Sequence, residues 1–446
     1  MISGLAVHFN VKRMDHLGLV AGFCKEIGLE AFINERLPKN SHRSKISNGT
    51  LLTAMILNGL GFVSRTLHMY PEYFEDKPTE RLLGADIKAA YINDDALGRC
   101  LDELYEAGVS NLYQELAEKV INHLKMPCHS INMDTTSFHL DGKYESDIDA
   151  QGIKITKGYS RDHRPDLNQV ILQLITENQA GIPLYMQACS GNSNDTKTFK
   201  ALVKYHVHSL KAAFKNKYLI ADAALYDEEI LQALAKEKQL FITRVPQKLK
   251  EAKEIIAQAG TVQFTKLSNG YAGAWFRSNY GDVAQRWLLI KSEQAKDREQ
   301  HILEARIKQE TSRSCREFKK LCRQKFACET DALAMLANWE AAQNFVKVHD
   351  SIIKIKQKRA KRGRPSIDDV GNKSYYINGH LATDLQSCKQ AASTTGLFIL
   401  STNDISDKLT MQFLLDEYKS QQAVLYKMGL SHFAYKYADQ KNLRNK

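Results

Sequence analysis

A chain of 446 residues has room for about three domains of roughly 150 residues each, and 43% hydrophobic with 25% charged residues excludes disorder over most of its length. With 62 Lys and Arg against 51 Asp and Glu the net charge is +11, which favours a polyanionic partner. The most apolar stretch, Leu51 to Val63, is too short to span a bilayer and is broken by Asn58 and Gly59, and the N-terminus lacks a cationic start followed by an apolar run. A cytoplasmic protein with no membrane partner is the expectation.

Up to Leu124 the apolar residues recur at helical spacing: Leu17, Val20, Ala21, Cys24 and Ile27, then Leu51, Leu52, Met55, Ile56 and Leu60. Ser47 and Asn48 are N-cap candidates for the second run. Asn93 opens a third, to about Tyr105, and Asn111 a fourth, to about Leu124. The sequence predicts an all-helical domain over 1–124, closed by Pro127.

Beyond Pro127 the period becomes that of strands. Ser130 to Phe138, Leu167 to Thr176 and Ile182 to Ala188 are three candidates, the last two joined by a hairpin turn at Asn178 to Gly181. A helix over Thr196 to Phe214, a strand over Tyr218 to Asp222, a helix over Glu228 to Lys238 and a strand over Leu240 to Val245 follow. This alternation predicts an α/β fold with a mixed sheet. From 246 to 395 the rhythm breaks: strands at Ala272 to Arg277 and Arg286 to Lys291, a long basic helical region from His301 to about Leu336, and a charged linker, Lys358 to Pro365. The strand Gly396 to Ser401 and a helix from Leu409 to about Val424 resume the α/β pattern. The expected organisation is therefore a helical domain at 1–124, a core at 125–245, an insertion at 246–395, the last core strand and helix at 396–424, and a divergent tail at 425–446.

Charge is distributed unevenly. Residues 1–124 hold 13 basic and 16 acidic side chains, whereas 301–366 hold 16 basic and 7 acidic. Such a concentration suits a phosphate backbone, or else a solvated basic helix. The 8 cysteines contain no Cys-x-x-Cys pair, so neither a disulfide framework nor a zinc knuckle is indicated. Cys315, Cys322 and Cys328 are spaced for packing along a helix rather than for a tetrahedral metal.

Two carboxylates carry the chemistry. Asp134 lies inside the apolar run Ile-Asn-Met-Asp-Thr-Thr and Asp222 ends Tyr-Leu-Ile-Ala-Asp. A carboxylate buried in a strand is costly unless it is paired, and two of them brought together repel. A divalent cation relieves both costs, and hard oxygen donors suit Mg²⁺ or Mn²⁺. For either Asp alone, a cap or an ion pair is the competing explanation.

Met-Asp-Thr-Thr-Ser-Phe at 133–138, Tyr-Ser-Arg-Asp-His-Arg-Pro-Asp-Leu at 159–167, Gly-Ile-Pro-Leu at 181–184 and Ile-Ala-Asp-Ala at 220–223 resemble the DDE transposases of bacterial insertion sequences, type-four-like group. Asn58-Gly-Leu-Gly-Phe62 and Leu83-Gly84 resemble pieces of the helical domain that precedes the catalytic domain in that group. The resemblance implies a ribonuclease-H-like core in which two Asp and one Glu hold two divalent metals for in-line attack on a phosphodiester. Asp134 and Asp222 would be the first two acids and metal ligands. Double-stranded DNA, at element ends and target, would be the partner, bound by a homodimer. Arg161, His163 and Arg164 would contact DNA, and Arg362 and Arg364 resemble arms that enter a narrow minor groove.

The third motif departs from the group. Tyr418 and Gln421 fit its helix, but Leu425 stands where Glu is expected and His432 where a basic residue is expected. Either the coding sequence is altered near 425, leaving a truncated and inactive transposase, or another acid such as Glu417 or Asp416 takes over. Glu417 is about 12 Å along the helix axis from 425, which disfavours the second reading. Two rivals remain. A phosphatase-like enzyme with an Asp nucleophile would want a second Asp at Thr136, and a non-catalytic DNA-binding remnant of a transposase would need no third acid.

Overall fold

The structure, a computed structural model, describes residues 11–37, 45–140, 152–159, 164–358 and 372–421. The first seven helices are α1 (Leu17–Glu26), α2 (Leu29–Arg36), α3 (Asn48–Gly59), α4 (Tyr70–Glu75), α5 (Thr79–Leu83), α6 (Asp94–Glu106) and α7 (Val109–Leu124). Ser47 caps α3 by accepting from the Thr50 amide, and Asn93 caps α6 through Ala96. Helix α7 begins two residues before the expected Asn111, because Gly108 at φ 82° turns the chain there. The amphipathic faces close on a core that includes Leu17, Ile33, Leu57, Phe74 and Leu97.

Helix α7 belongs to two cores. Its Leu112 packs in the helical domain, while Ala117 and Ile121 pack with Leu184 and Tyr185 of the sheet domain. The Tyr113 hydroxyl donates to the carbonyl of Pro183 at 3.3 Å.

Strands β1 (Ser130–Leu140), β2 (Asn168–Glu177), β3 (Pro183–Ser190), β4 (Tyr218–Ala221), β5 (Leu240–Arg244), β6 (Thr265–Lys266), β7 (Tyr271–Ser278), β8 (Gln285–Ser292) and β11 (Leu397–Thr402) form one sheet of order β3-β2-β1-β4-β5-β11-β8-β7-β6. Strand β1 is antiparallel to β2 and parallel to β4, and β5 is parallel to β4. This is the mixed α/β sheet behind a helical domain that the sequence predicts. In the β2–β3 turn, Glu177 accepts from the amides of Gln179 and Ala180, both at 2.6 Å.

Helices α8 (Asp195–Phe214) and α9 (Glu228–Lys236) cover one face of the sheet; α10 (Lys250–Ala257) adds its buried Ala252 and Ile256 to the same core. The opposite face is covered by a helix at 411–421, which buries Leu414 and Leu415 against Tyr218, Ile220, Ile242 and Leu400.

Of the stretch 246–395, β6, β7 and β8 extend the main sheet. The remainder builds a separate unit from α11 (Glu293–Leu321), α12 (Glu329–Ala341), α13 (Leu385–Ser393) and a two-stranded ribbon, β9 (Val346–Lys358) with β10 (Asn372–Thr383). The expected single basic helical region is in fact two helices. Cys328 starts the second, its sulfur accepting from the Asp331 amide. Cys322 packs against the ribbon core. Strands β9 and β10 were not expected. Alternation is visible in Ile353-Lys-Ile-Lys356, but an irregularity opposite Asn378 and His380 shifts the register between His349 and Ile352 and hides the period.

Candidate active site

Strand register sets the site. Met133 pairs with Ala221 across β1 and β4, and Ala221 with Thr243 across β4 and β5. The next residues, Asp134 within β1, Asp222 just after β4 and Arg244 at the end of β5, therefore stand in a row across three parallel strands about 4.8 Å apart. Side chains alternate between faces. Ile131 and Met133 pack on the α8 side, so Asp134 faces the other way. Tyr218, Ile220 and Ile242 face the 411–421 helix, and Asp222 and Arg244, two residues further along their strands, share that face.

The environment fixes both carboxylates. Asp134 is 8% exposed and accepts from the Thr135 amide at 2.8 Å. Asp222 caps the 3-10 turn Ala223–Leu225, accepting from the Ala224 amide at 2.9 Å. Its carbonyl accepts from the Thr243 hydroxyl at 2.7 Å. Tyr418 on the last helix reports the convergence. Burial pushes its hydroxyl up, the Arg244 guanidinium opposes that, and the charges of Asp222 and Asp134 push it further up. One tyrosine thus senses all three members of the row. Gln421, one turn on, is buried.

Neither alternative third acid joins this row. Glu417 accepts from the Asn178 side-chain amide at 2.9 Å. Asn178 in turn is bonded through its own amide to the carbonyl of Ser130 and accepts from Asn132. Glu417 therefore lies toward the entry end of β1. Asp416 is exposed and accepts from Gln412 at 2.8 Å. Among the described residues no group of three His, Cys, Asp or Glu could hold a metal. Leu425 and His432 lie outside the described residues.

Of the expected DNA contacts, Arg161, His163, Arg362 and Arg364 also lie outside the described residues. Arg164 is bidentate on Asp166, with Nε–Oδ1 at 2.9 Å and Nη2–Oδ2 at 2.8 Å. That guanidinium brings the Asp166 carboxyl down to about 2. Sequence reasoning missed Arg244. Its signal is the one that revealed Asp222, a charged residue ending a buried strand.

Residues 141–331 match the family described as Transposase DDE domain, a range that begins after Asp134 and includes Asp222 and Arg244. Residues 9–118 match a domain of unknown function (DUF4277). The two matches in tandem are consistent with a DDE transposase of the insertion-sequence type. No curated protein matches. Among solved structures, the piggyBac transposase synaptic complex with hairpin DNA is similar at 12% identity and a TM-score of 0.31, over 64% of this chain and 59% of that one. Among the described residues no helix is long and apolar enough to cross a membrane.

Proposed function

We propose that this chain is an insertion-sequence transposase that works at element ends in double-stranded DNA as a homodimer, with Asp134 and Asp222 as its carboxylate pair. The observation that carries the reading is the row of Asp134, Asp222 and Arg244 on the face covered by the 411–421 helix. A phosphatase-like Asp nucleophile is disfavoured, because Thr136 occupies the position of its second acid.

Asp134 and Asp222 would hold Mg²⁺ or Mn²⁺, which when bound supplies Lewis-acid stabilisation of charge on the scissile phosphodiester. Rigid strands orient the two carboxylates, and backbone amides fix one oxygen of each. Arg244 offers a positive group beside them for a phosphate oxygen. Tyr418 and Gln421 close the apolar side of the row and limit water there. Residues 1–124 would act as a separate helical domain, 125–245 with 396–424 as the core, and 246–395 as an insertion.

Strand cleavage needs a third carboxylate, and Glu417 and Asp416 are held by other partners. That favours DNA binding without metal-dependent cleavage, the behaviour of a non-catalytic remnant. The test is nicking of a supercoiled plasmid carrying element ends, in Mg²⁺ or Mn²⁺. Retained binding without nicking is the expected result. Robust nicking abolished by Asp134→Ala would overturn the inactive reading, and no DNA binding at all would overturn the transposase reading.

A further inference from the structure

The unit built by α11, α12 and the β9–β10 ribbon has one face that the chemistry of the main sheet does not use. Its inner face is a small core of Phe318, Leu321, Phe326, Leu336 and Ile377, with Val348, Ile353, Tyr375 and Leu381 packed against it. Polar anchors fix the base of the ribbon: Glu310 accepts from the amides of Asn344 and Phe345 at 2.8 and 3.2 Å, and Glu340 from the amide of Val348 at 2.9 Å. Opposite lies the outer face, where Lys354 stands across from Tyr376, Ile352 across from Asn378 and His349 across from His380.

This outer face is open and basic. Lys354, Lys356, His349 and His380 are exposed, as is Ile352 at 59%. The two strands contain five lysines and one carboxylate, Asp350, at the register irregularity. Lys347, near the base, is held by Asp384 at 2.8 Å, whereas neither Lys354 nor Lys356 is ion-paired with a described carboxylate. Lys356 instead lies over the Tyr376 ring, 5.1 Å from its centroid. A strand of 12 residues is about 40 Å long, which is about one turn of duplex DNA. An isolated two-stranded ribbon is marginal in water; here the helices hold one side rigid, so the other is presented without an ordering cost.

We infer that the outer face of the β9–β10 ribbon is a phosphate-backbone docking surface for double-stranded DNA, with Lys354 and Lys356 as its principal contacts. This rests on the transposase reading and adds where the duplex lies. The occupant is chosen on charge complementarity: a row of unpaired lysines with an aromatic ring between them, on a rigid support as long as a helical turn.

The test measures binding of the full chain to a 40-base-pair mixed-sequence duplex at several salt concentrations. Lys354→Gln/Lys356→Gln should lower the slope of log K against log salt by about 2, and weaken binding on the order of tenfold to a hundredfold at 0.1 M salt. Lys25→Gln/Lys88→Gln, at exposed positions of the acidic helical domain, should change neither by more than about twofold. Trp339, which packs on Phe318 at 5.3 Å between centroids, reports by its fluorescence that the ribbon unit remains folded. An unchanged slope in the ribbon variant, with normal wild-type binding, overturns the inference and leaves the transposase reading intact. Equal losses in both variants reduce the effect to bulk charge and also overturn it. A ribbon variant that loses binding to phosphatidylserine vesicles but not to DNA reassigns the face to a lipid surface. A wild-type chain with no salt-dependent DNA binding overturns both readings.

Discussion

The corner at Asp134 and Asp222 and the outer face of the β9–β10 ribbon, the two places proposed to meet phosphate, are built by opposite means. At the corner the charges are few, and Asp134 is buried and held by backbone amides and by strand register. On the outer face of the ribbon, Lys354 and Lys356 are exposed on long side chains and neither is ion-paired with a described carboxylate. In-line chemistry tolerates errors of about 1 Å poorly, so its groups belong on packed strands. Docking to a polyanion depends mainly on charge and is lost in salt, so a rigid support and unpaired lysines suffice.

The largest break in this comparison comes from the cores. Trp287 is fully buried in the main sheet, and its indole donates to Gln285 at 3.1 Å, a side chain that also accepts from Tyr226 and Ser401. Trp287→Ala should cost about 3–5 kcal/mol and, by chemical denaturation, unfold the sheet at much lower denaturant. Trp339→Ala, in the small and partly exposed core under the ribbon, should cost less and leave the transition of the main sheet where it is.

A smaller effect sharpens the contrast through pH. The Asp404 carboxyl is pushed up by burial but brought below its ordinary value overall, by hydrogen bonds from the Tyr218 hydroxyl and the Ser406 amide and by the Lys217 charge. Asp384 is brought down by its bond from Lys347 and by Ser387. A depressed carboxyl contributes stability that is fully present above its unfolded value, about 3.9, and is lost as pH falls through the folded value. Both contributions should therefore fade below about pH 4. Adding 0.5 M salt near neutral pH should weaken the Asp384 contribution, because Lys347 is 60% exposed, and barely touch that of Asp404, which rests largely on a tyrosine hydroxyl. Thermal melts of Asp404→Asn and Asp384→Asn with and without salt check this.

Much of the corner was legible in the sequence. Asp134 and Asp222 stood out because a carboxylate within or ending an apolar strand needs a physical reason, and Ser47 and Asn93 announced their helices as caps. Arg244 carries the same signal at the end of β5, but one cation ending a strand is unremarkable until register puts it beside two acids. The ribbon was hidden for another reason. Its irregularity offsets the two halves of β9, so the inward residues Val348 and Ile353 are an odd number apart and no single alternation spans the strand. The partners of Glu417 were beyond any sequence argument, because Asn178 reaches it across 239 positions.

On the proposed function, Asp134 and Asp222 act as one metal-binding pair from which Glu417 is excluded. Mn²⁺ binding, followed by the loss of the free-ion paramagnetic resonance signal, tests it on the wild type, Asp134→Asn, Asp222→Asn and Glu417→Gln. The expected result is weak binding by the wild type, at least tenfold weaker in either aspartate variant, and within about twofold of wild type in Glu417→Gln, since each aspartate would supply one of the one or two carboxylates by which such a cation is held. Loss in Glu417→Gln equal to that in Asp134→Asn, or unchanged binding in either aspartate variant, would contradict it.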